Sequence, residues 1–242
     1  MNSINKKLLT LLVLASTVFF SLSSGLLHAG TADDPLLSEV MFDQLEVRDT
    51  DGDNLLAWDA QAWFGKDLEK LWIKTEGERE DGIIEEAELQ ALYSKAVSTY
   101  WDFQVGVRHD FNPTPKRSWA VVGFQGLAPY FFEVDTALFI GESGRTALRL
   151  EAEYELLFTQ RLVLTPEIEV NFYGQNDADT GVGAGLSDVE LGLRLRYEIR
   201  REFAPYIGVN WFKKFGNSAD FARIAGQDID DTQLVVGIRA WF

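Results

Sequence analysis

The chain of 242 residues contains no cysteine, and it has only two methionines and two histidines. Without cysteine, the fold has no disulfide and no thiolate metal ligand. His28 lies close to the amino terminus, so His109 is the only histidine in the main body of the chain, and no His/Cys cluster has the spacing of metal ligands. After the first residues, no stretch approaches the roughly 20 apolar residues of a membrane-spanning helix.

Basic residues are the minority charge, with 22 Lys and Arg against 38 Asp and Glu. Removal of an amino-terminal segment that contains Lys6 and Lys7 would leave 20 basic and 38 acidic residues, a net charge of −18. So acidic a chain would repel phosphate groups. We therefore expect no nucleic-acid partner.

The amino-terminal segment has the pattern of a secretory signal. Lys6 and Lys7 precede an apolar run over residues 8–20, and the small residues Ala29 and Ala32 follow a serine-rich stretch. The pattern predicts a signal peptide over residues 1–32, cleaved near 29–32. Residues 33–242 would then form one domain outside the cytoplasm.

The rest of the chain alternates between polar and apolar residues. In residues 147–158, Arg149, Glu151 and Glu153 share one face of a strand while Leu148 and Leu150 share the other. The same period predicts strands at 40–48, 55–64, 69–77, 83–94, 98–110, 117–127, 130–140, 146–158, 162–173, 187–200, 204–215 and 232–242. The predicted fold is all-β, a twelve-stranded antiparallel transmembrane β-barrel, with a soluble β-sandwich as the alternative.

The connections between these strands alternate in length. Longer ones rich in Gly, Asn and Asp fall at 49–54, 77–82, 111–116, 141–145, 174–186 and 216–231, and short ones lie between them. Long outer loops and short periplasmic turns would produce this order. We therefore expect both termini on the periplasmic side of the outer membrane of a Gram-negative bacterium.

The last predicted strand ends on an aromatic residue, Phe242. Strand alternation predicts that Phe242 faces lipid and that Gln233 and Arg239 face the lumen. This strand would close the barrel against residues 40–48. Phe242 would then also be the part of the chain that the barrel-assembly machinery reads, and the outer face would contact outer-membrane lipids.

The polar faces of the predicted strands converge on the barrel lumen. The predicted lumen-lining residues are Asp59, Lys74, Asp102, Arg108, Glu133, Asp135, Arg149, Glu151, Glu153, Glu167, Glu169, Glu190, Arg194 and Arg196. Two interpretations are open. They form a lining of mutually paired charges that stiffens the barrel, or, because carboxylates outnumber basic groups, an interior that attracts cations.

Catalytic chemistry finds little support. Outer-membrane phospholipases carry an outward His and Ser two residues apart on one strand, but here Val107 and Phe111 flank His109 at that spacing. The sequence therefore places no serine two residues from His109 that could act as the nucleophile of an acyl transfer. The chain is predicted not to be an enzyme, and His109 itself is predicted to point outward near a barrel rim.

Several blocks of sequence resemble the copper resistance protein B family. They are residues 56–65 (LAWDAQAWFG), 71–78 (LWIKTEGE), 105–111 (VGVRHDF), 126–130 (GLAPY), 148–154 (LRLEAEY) and 196–206 (RYEIRREFAPY). The resemblance extends over about residues 36–242. It implies an outer-membrane barrel that helps a Gram-negative cell to tolerate copper by binding or passing copper ions at the cell envelope, and it suggests a periplasmic multicopper oxidase as a partner.

One departure from the family concerns soft ligands. Family members often carry a Met- and His-rich segment before the barrel, whereas Met41 is the only methionine after the predicted signal. Copper ligands would then come from the barrel: His109 with Asp110, Glu76 or Glu78, a set that suits Cu(II) better than Cu(I). The alternative function is a narrow cation-selective pore, or a structural barrel without a specific metal site.

Overall fold

The computed structural model describes residues 34–50 and 54–242. The predicted signal peptide, residues 1–32, lies outside the described residues. Within the described ranges, no helix is both long enough and apolar enough to cross a membrane.

Antiparallel strands account for most of the described chain. They are β1 (Leu37–Asp49), β2 (Asn54–Gly65), β3 (Glu69–Glu80), β4 (Ile83–Ala96), β5 (Trp101–Asn112), β6 (Arg117–Ala128), β7 (Phe132–Gly141), β8 (Thr146–Glu153), β9 (Leu156–Leu157), β10 (Leu162–Tyr173), β11 (Gly185–Tyr197), β12 (Phe203–Lys214) and β13 (Asp230–Trp241). The short β9 continues β8 after a break at Tyr154 and Glu155, and both segments pair with β10.

The sheet closes on itself. Apart from β8 and β9, which both lie along β10, each strand pairs with its neighbours in sequence, and β1 pairs with β13 as well as with β2. Val40 and Phe242 exchange two backbone hydrogen bonds of 3.0 and 2.9 Å at this seam. With β8 and β9 counted as one crossing, the fold is the predicted twelve-stranded barrel.

The barrel is polar inside and apolar outside, as β4 illustrates. Glu88, Gln90 and Ser94 are buried, whereas the alternate residues Leu89 and Tyr93 are both 39% exposed. Exposed apolar side chains recur around the outer surface: Val47, Ile73, Val107, Phe124, Leu138, Ile168, Leu193, Ile207 and Val236. A twelve-residue strand tilted by ~40° rises ~30 Å, which spans the apolar band of about 25 Å that lipid requires.

Aromatic residues mark the end of the barrel at which β1 begins and β13 ends, called the termini end below. Tyr100, Tyr130, Phe131, Phe158 and Phe242 lie there, in turns or at strand ends, and each is more than 60% exposed. Such rings are favoured at the boundary between lipid and water.

The opposite end, called the loop end, departs from the predicted connections. Residues 77–82 were predicted to form a longer loop, but β3 and β4 are joined by Asp81 and Gly82 alone. Both residues have positive φ angles, 48° and 86°, which suits Asp-Gly in a two-residue hairpin turn. The contrast in length between the two ends therefore rests mainly on residues 174–184 and 215–229.

The second of these long connections contains a helix that the alternation did not predict, α1 (Gly216–Ala225). Its buried residues are Ser218, Ala219 and Ala222, small side chains that let the helix approach β11 closely. Gly226 ends it in the left-handed conformation (φ 74°) and donates to the carbonyl of Ala222.

Candidate functional site

The barrel lumen contains two cavities, of about 400 Å³ at the termini end and about 320 Å³ at the loop end. Nine Asp and Glu side chains and five Lys and Arg side chains line the first. Twelve acidic and six basic side chains line the second. Carboxylates therefore predominate in both, and the field inside favours cations.

Cross-lumen ion pairs fill much of the space between the walls. Lys74 on β3 reaches Asp135 on β7 at 2.6 Å, and Arg149 on β8 reaches Glu76 on β3 at 2.8 Å. Arg239 on β13 contacts Glu155, beyond β8, at 3.3 Å. These pairs join strands that lie far apart in the ring, so the lining is a connected network across the lumen.

A denser part of the network surrounds Glu46, which is 1% exposed. Its carboxylate accepts hydrogen bonds from Arg48 Nε (2.7 Å), Arg194 Nε (2.9 Å) and the Tyr206 hydroxyl (2.8 Å). Arg48 also contacts Glu78 and Glu190, at 3.1 and 3.0 Å. This cluster ties β1 to β3, β11 and β12.

Two carboxylates of the first cavity stand outside these pairs. Among the described residues, no hydrogen bond or salt bridge reaches Asp59 or Glu133, although both line the cavity. The Oε1 atoms of Gln61 and Glu153 are buried there without a hydrogen-bond partner. Met41 lines the same cavity and supplies one thioether. The termini-end cavity thus offers several oxygen atoms and one sulfur to a cation.

Residues 174–184 fold over the mouth of the second cavity. Asp177 accepts two hydrogen bonds from Arg117, at 3.0 and 3.1 Å, and lies 3.0 Å from Arg145. Gly183 donates to Ser218 Oγ at 2.7 Å, which joins this loop to α1. The loop end is therefore partly covered by a connection held by two arginines.

The predicted copper ligands do not meet at one place. His109 lies on the outer face of β5, where Nδ1 is 2.9 Å from Ser118 Oγ and the ring contacts Phe111. Asp110 points inward and accepts from Arg108 and Trp119, at 2.6 and 2.7 Å.

Glu76 and Glu78 also point inward, towards Arg149 and Arg48. The structure does not bring His109 together with these three carboxylates, because His109 faces outward whereas they face the lumen. Within residues 34–50 and 54–242, no group of three or more His, Cys, Asp or Glu side chains is arranged to hold a metal ion.

The predicted lumen-lining residues lie on the inner face. Asp59, Lys74, Glu133, Asp135, Arg149, Glu151, Glu153, Glu167, Arg194 and Arg196 line the first cavity, and Arg108, Glu169 and Glu190 line the second. Asp102 also points inward and accepts from the buried Ser94 at 3.3 Å.

Sequence reasoning missed the inner residues of β1, namely Asp43, Gln44, Glu46 and Arg48. A register shift between Phe42 and Gln44 breaks the alternation there, so both Asp43 and Gln44 line the first cavity. The alternation of Gln44, Glu46 and Arg48 with Leu45 and Val47 was the signal that could have found them.

A closed β-barrel with a polar interior, an apolar outer band and an aromatic girdle is an outer-membrane β-barrel protein. Solved structures with the same fold include a NanC porin (TM-score 0.55) and a KdgM porin in complex with disordered oligogalacturonate (TM-score 0.50). Each is 12% identical to this chain and covers 84% of it and 99% of the porin chain. At that identity the likeness concerns the fold alone.

Sequence comparison identifies the family. The profile described as copper resistance protein B precursor matches residues 36–242. The chain is 50% identical to copper resistance protein B of Escherichia coli over 203 residues, which cover 84% of this chain and 69% of that protein. It is 48% identical to a copper resistance protein B homolog of Pseudomonas syringae pv. tomato over 217 residues, 89% of this chain and 74% of that protein. The chain belongs to the copper resistance protein B family and is a copper-resistance protein of the outer membrane.

Proposed function

We propose that this protein contributes to copper resistance by binding Cu(II) ions in its acidic lumen, or by passing them along it, at the cell envelope. The observation that carries the proposal is the excess of carboxylates around both cavities. Oxygen ligands favour Cu(II), whereas Cu(I) prefers several soft sulfur ligands and Met41 provides only one.

The first place for a copper ion is the termini-end cavity, at Asp59 and Glu133. An ion entering there does not have to displace a hydrogen-bonded partner from either carboxylate. Glu76 and Glu78, by contrast, already contact arginines. His109 faces outward and contributes nothing to this site.

Isothermal titration of the refolded protein with Cu(II) and with Cu(I) tests the proposal. We expect Cu(II) to bind more tightly, and the double variant Asp59→Asn, Glu133→Gln to weaken that binding. Glu142→Gln, which changes an exposed carboxylate in the turn at Glu142–Gly144, and His109→Ala should both leave it unchanged. No Cu(II) binding tighter than about 1 mM, a free energy of about −4 kcal/mol, would remove the binding function.

A second candidate is a narrow cation pore without a specific metal site. The same excess of carboxylates favours it, because carboxylate rings select cations in channels. Cation conductance in planar bilayers together with an absence of copper binding is the result that would favour the pore.

The termini end is proposed to face the periplasm. The short connections lie at that end, and long loops of outer-membrane barrels lie outside the cell. Because the chain has no cysteine, single cysteines can report the orientation. We expect Asp179→Cys, in the exposed part of the long loop, to react with a membrane-impermeant maleimide on whole cells. Gln160→Cys, in an exposed short turn, should react only after the outer membrane is permeabilised; the reverse pattern would invert the topology.

A periplasmic multicopper oxidase is proposed as a partner, on the strength of the family membership alone. Such an oxidase would receive or supply copper at the termini end if that end faces the periplasm. Surface plasmon resonance between the purified barrel and the oxidase, with and without Cu(II), checks the pair. Absence of binding in both conditions would exclude the oxidase as a partner.

A further inference from the structure

The two cavities of the lumen are separated by a layer of side chains that belongs to both. The residues that line both cavities are Gln44, Asp59, Glu76, Glu88, Arg149, Glu151 and Glu167. They come from β1, β2, β3, β4, β8 and β10, so the layer extends from one wall to the other. We call it the partition. Among its charged members, Arg149 is the only cation.

Arg149 spans the lumen within this partition. It originates on β8, while its guanidinium lies 2.8 Å from Glu76 on β3 and 3.1 Å from Glu88 on β4. Three strands, β5, β6 and β7, separate β4 from β8 along the sheet. The contacts therefore connect nearly opposite walls, within the layer of side chains that lines both cavities.

Several neighbours hold the guanidinium in place. Glu169, on the adjacent β10, lies 3.5 Å from Nε, and the guanidinium carbon lies 5.9 Å from the centre of the Phe139 ring. Arg108 contacts the same Glu88 at 2.7 Å and lies over the same ring at 4.7 Å. Charge-assisted hydrogen bonds to two carboxylates fix the planar guanidinium better than a single contact would.

We propose that Arg149 closes the lumen at the partition and sets its charge selectivity. While the guanidinium remains on Glu76 and Glu88, its positive charge opposes the entry of a free cation between the cavities. When it leaves them, Glu76 faces the path without its arginine and Glu88 keeps only Arg108, so the local charge favours a cation. A cation that crosses must therefore take the place of the guanidinium at these carboxylates. The inference rests on the proposed role of the lumen as a path for cations.

The test is conductance of the purified full-length barrel in planar lipid bilayers with a KCl gradient. We expect the unmodified protein to conduct poorly and Arg149→Ala to raise the conductance severalfold, with a reversal potential shifted towards cation selectivity. Arg161→Ala is the matched control, because it removes an equal charge from an exposed turn. Unchanged conductance of folded Arg149→Ala would overturn the proposal.

A second variant covers the case in which Arg149→Ala does not fold. Glu76→Gln with Glu88→Gln frees the guanidinium from the opposite wall but retains its charge. We expect a higher conductance with selectivity shifted towards chloride, the opposite of the shift expected for Arg149→Ala. Unchanged conductance and selectivity would overturn the proposal. Copper titration of the unmodified protein separates the two proposals. If these variants alter conductance although no copper binds, the partition stands and the copper function fails.

Discussion

Replacing Glu46 with alanine is expected to destabilise the barrel by about 3–5 kcal/mol, the effect of removing one partner from a buried ion pair. Glu46 is 1% exposed, and its carboxylate lies between Arg48 and Arg194, each 6% exposed. Without it, two buried guanidiniums approach each other with less compensating charge, and the Tyr206 hydroxyl loses its acceptor. The free energy of unfolding in urea, followed by tryptophan fluorescence in detergent or lipid, measures the change.

Glu69→Ala is the control for this prediction. Glu69 pairs with Lys95 at 3.1 Å, but both side chains are more than half exposed at the termini end. Water screens exposed pairs, which contribute little to stability, so this variant should unfold almost as the unmodified protein does. If the two variants lost similar stability, the charge network around Glu46 would not be what holds β1 to β11 and β12.

Deleting Phe242 is expected to lower strongly the amount of folded protein in the outer membrane. We propose that the barrel-assembly machinery reads this residue, whose side chain is 74% exposed at the end of the last strand. The deletion also removes both backbone hydrogen bonds to Val40. Western blots of outer-membrane fractions, with heat-modifiable mobility as the measure of folding, give the result.

Phe158→Ala provides the comparison. Phe158 is 63% exposed at the same end of the barrel, but it lies in an internal turn. If assembly depended only on the aromatic girdle, the two variants would lose similar amounts of folded protein in the outer membrane. If the assembly machinery reads the carboxy terminus, only the deletion of Phe242 reduces assembly in cells, while refolding into detergent changes little. A normal outer-membrane level of the deletion variant would argue against that partner.

Strand alternation predicted most of the fold because each face of a barrel wall meets a single environment, lipid outside and the polar lumen inside. Within β4 (Ile83–Ala96), residues 87–94 alternate without a break between partly or fully exposed and buried positions. The same argument placed Phe242 on the outer face and Gln233 and Arg239 on the inner face, as the structure shows. It failed at α1, because Ser218, Ala219 and Ala222 form a helical stripe too small and too weakly apolar to stand out in a loop.

The arrangement of the site was harder to predict than its composition. The sequence indicated that Lys74 and Asp135 line the lumen, but not that they touch. Their contact depends on which strands face each other after closure, and this follows from the stagger of all twelve crossings. His109 and Asp110 show the opposite case: their adjacency in sequence suggested a shared site, while the wall between them separates their side chains.

The pairing of β1 with β13 also constrains the order of folding. The first strand of the barrel finds its second neighbour only in β13, so closure cannot precede the synthesis of β13. Until then, β1 and the growing chain each present an unpaired edge with free backbone donors and acceptors, the kind of edge that promotes aggregation. The chain therefore needs protection along its whole length until Phe242 reaches Val40, and a truncated product would keep both edges open.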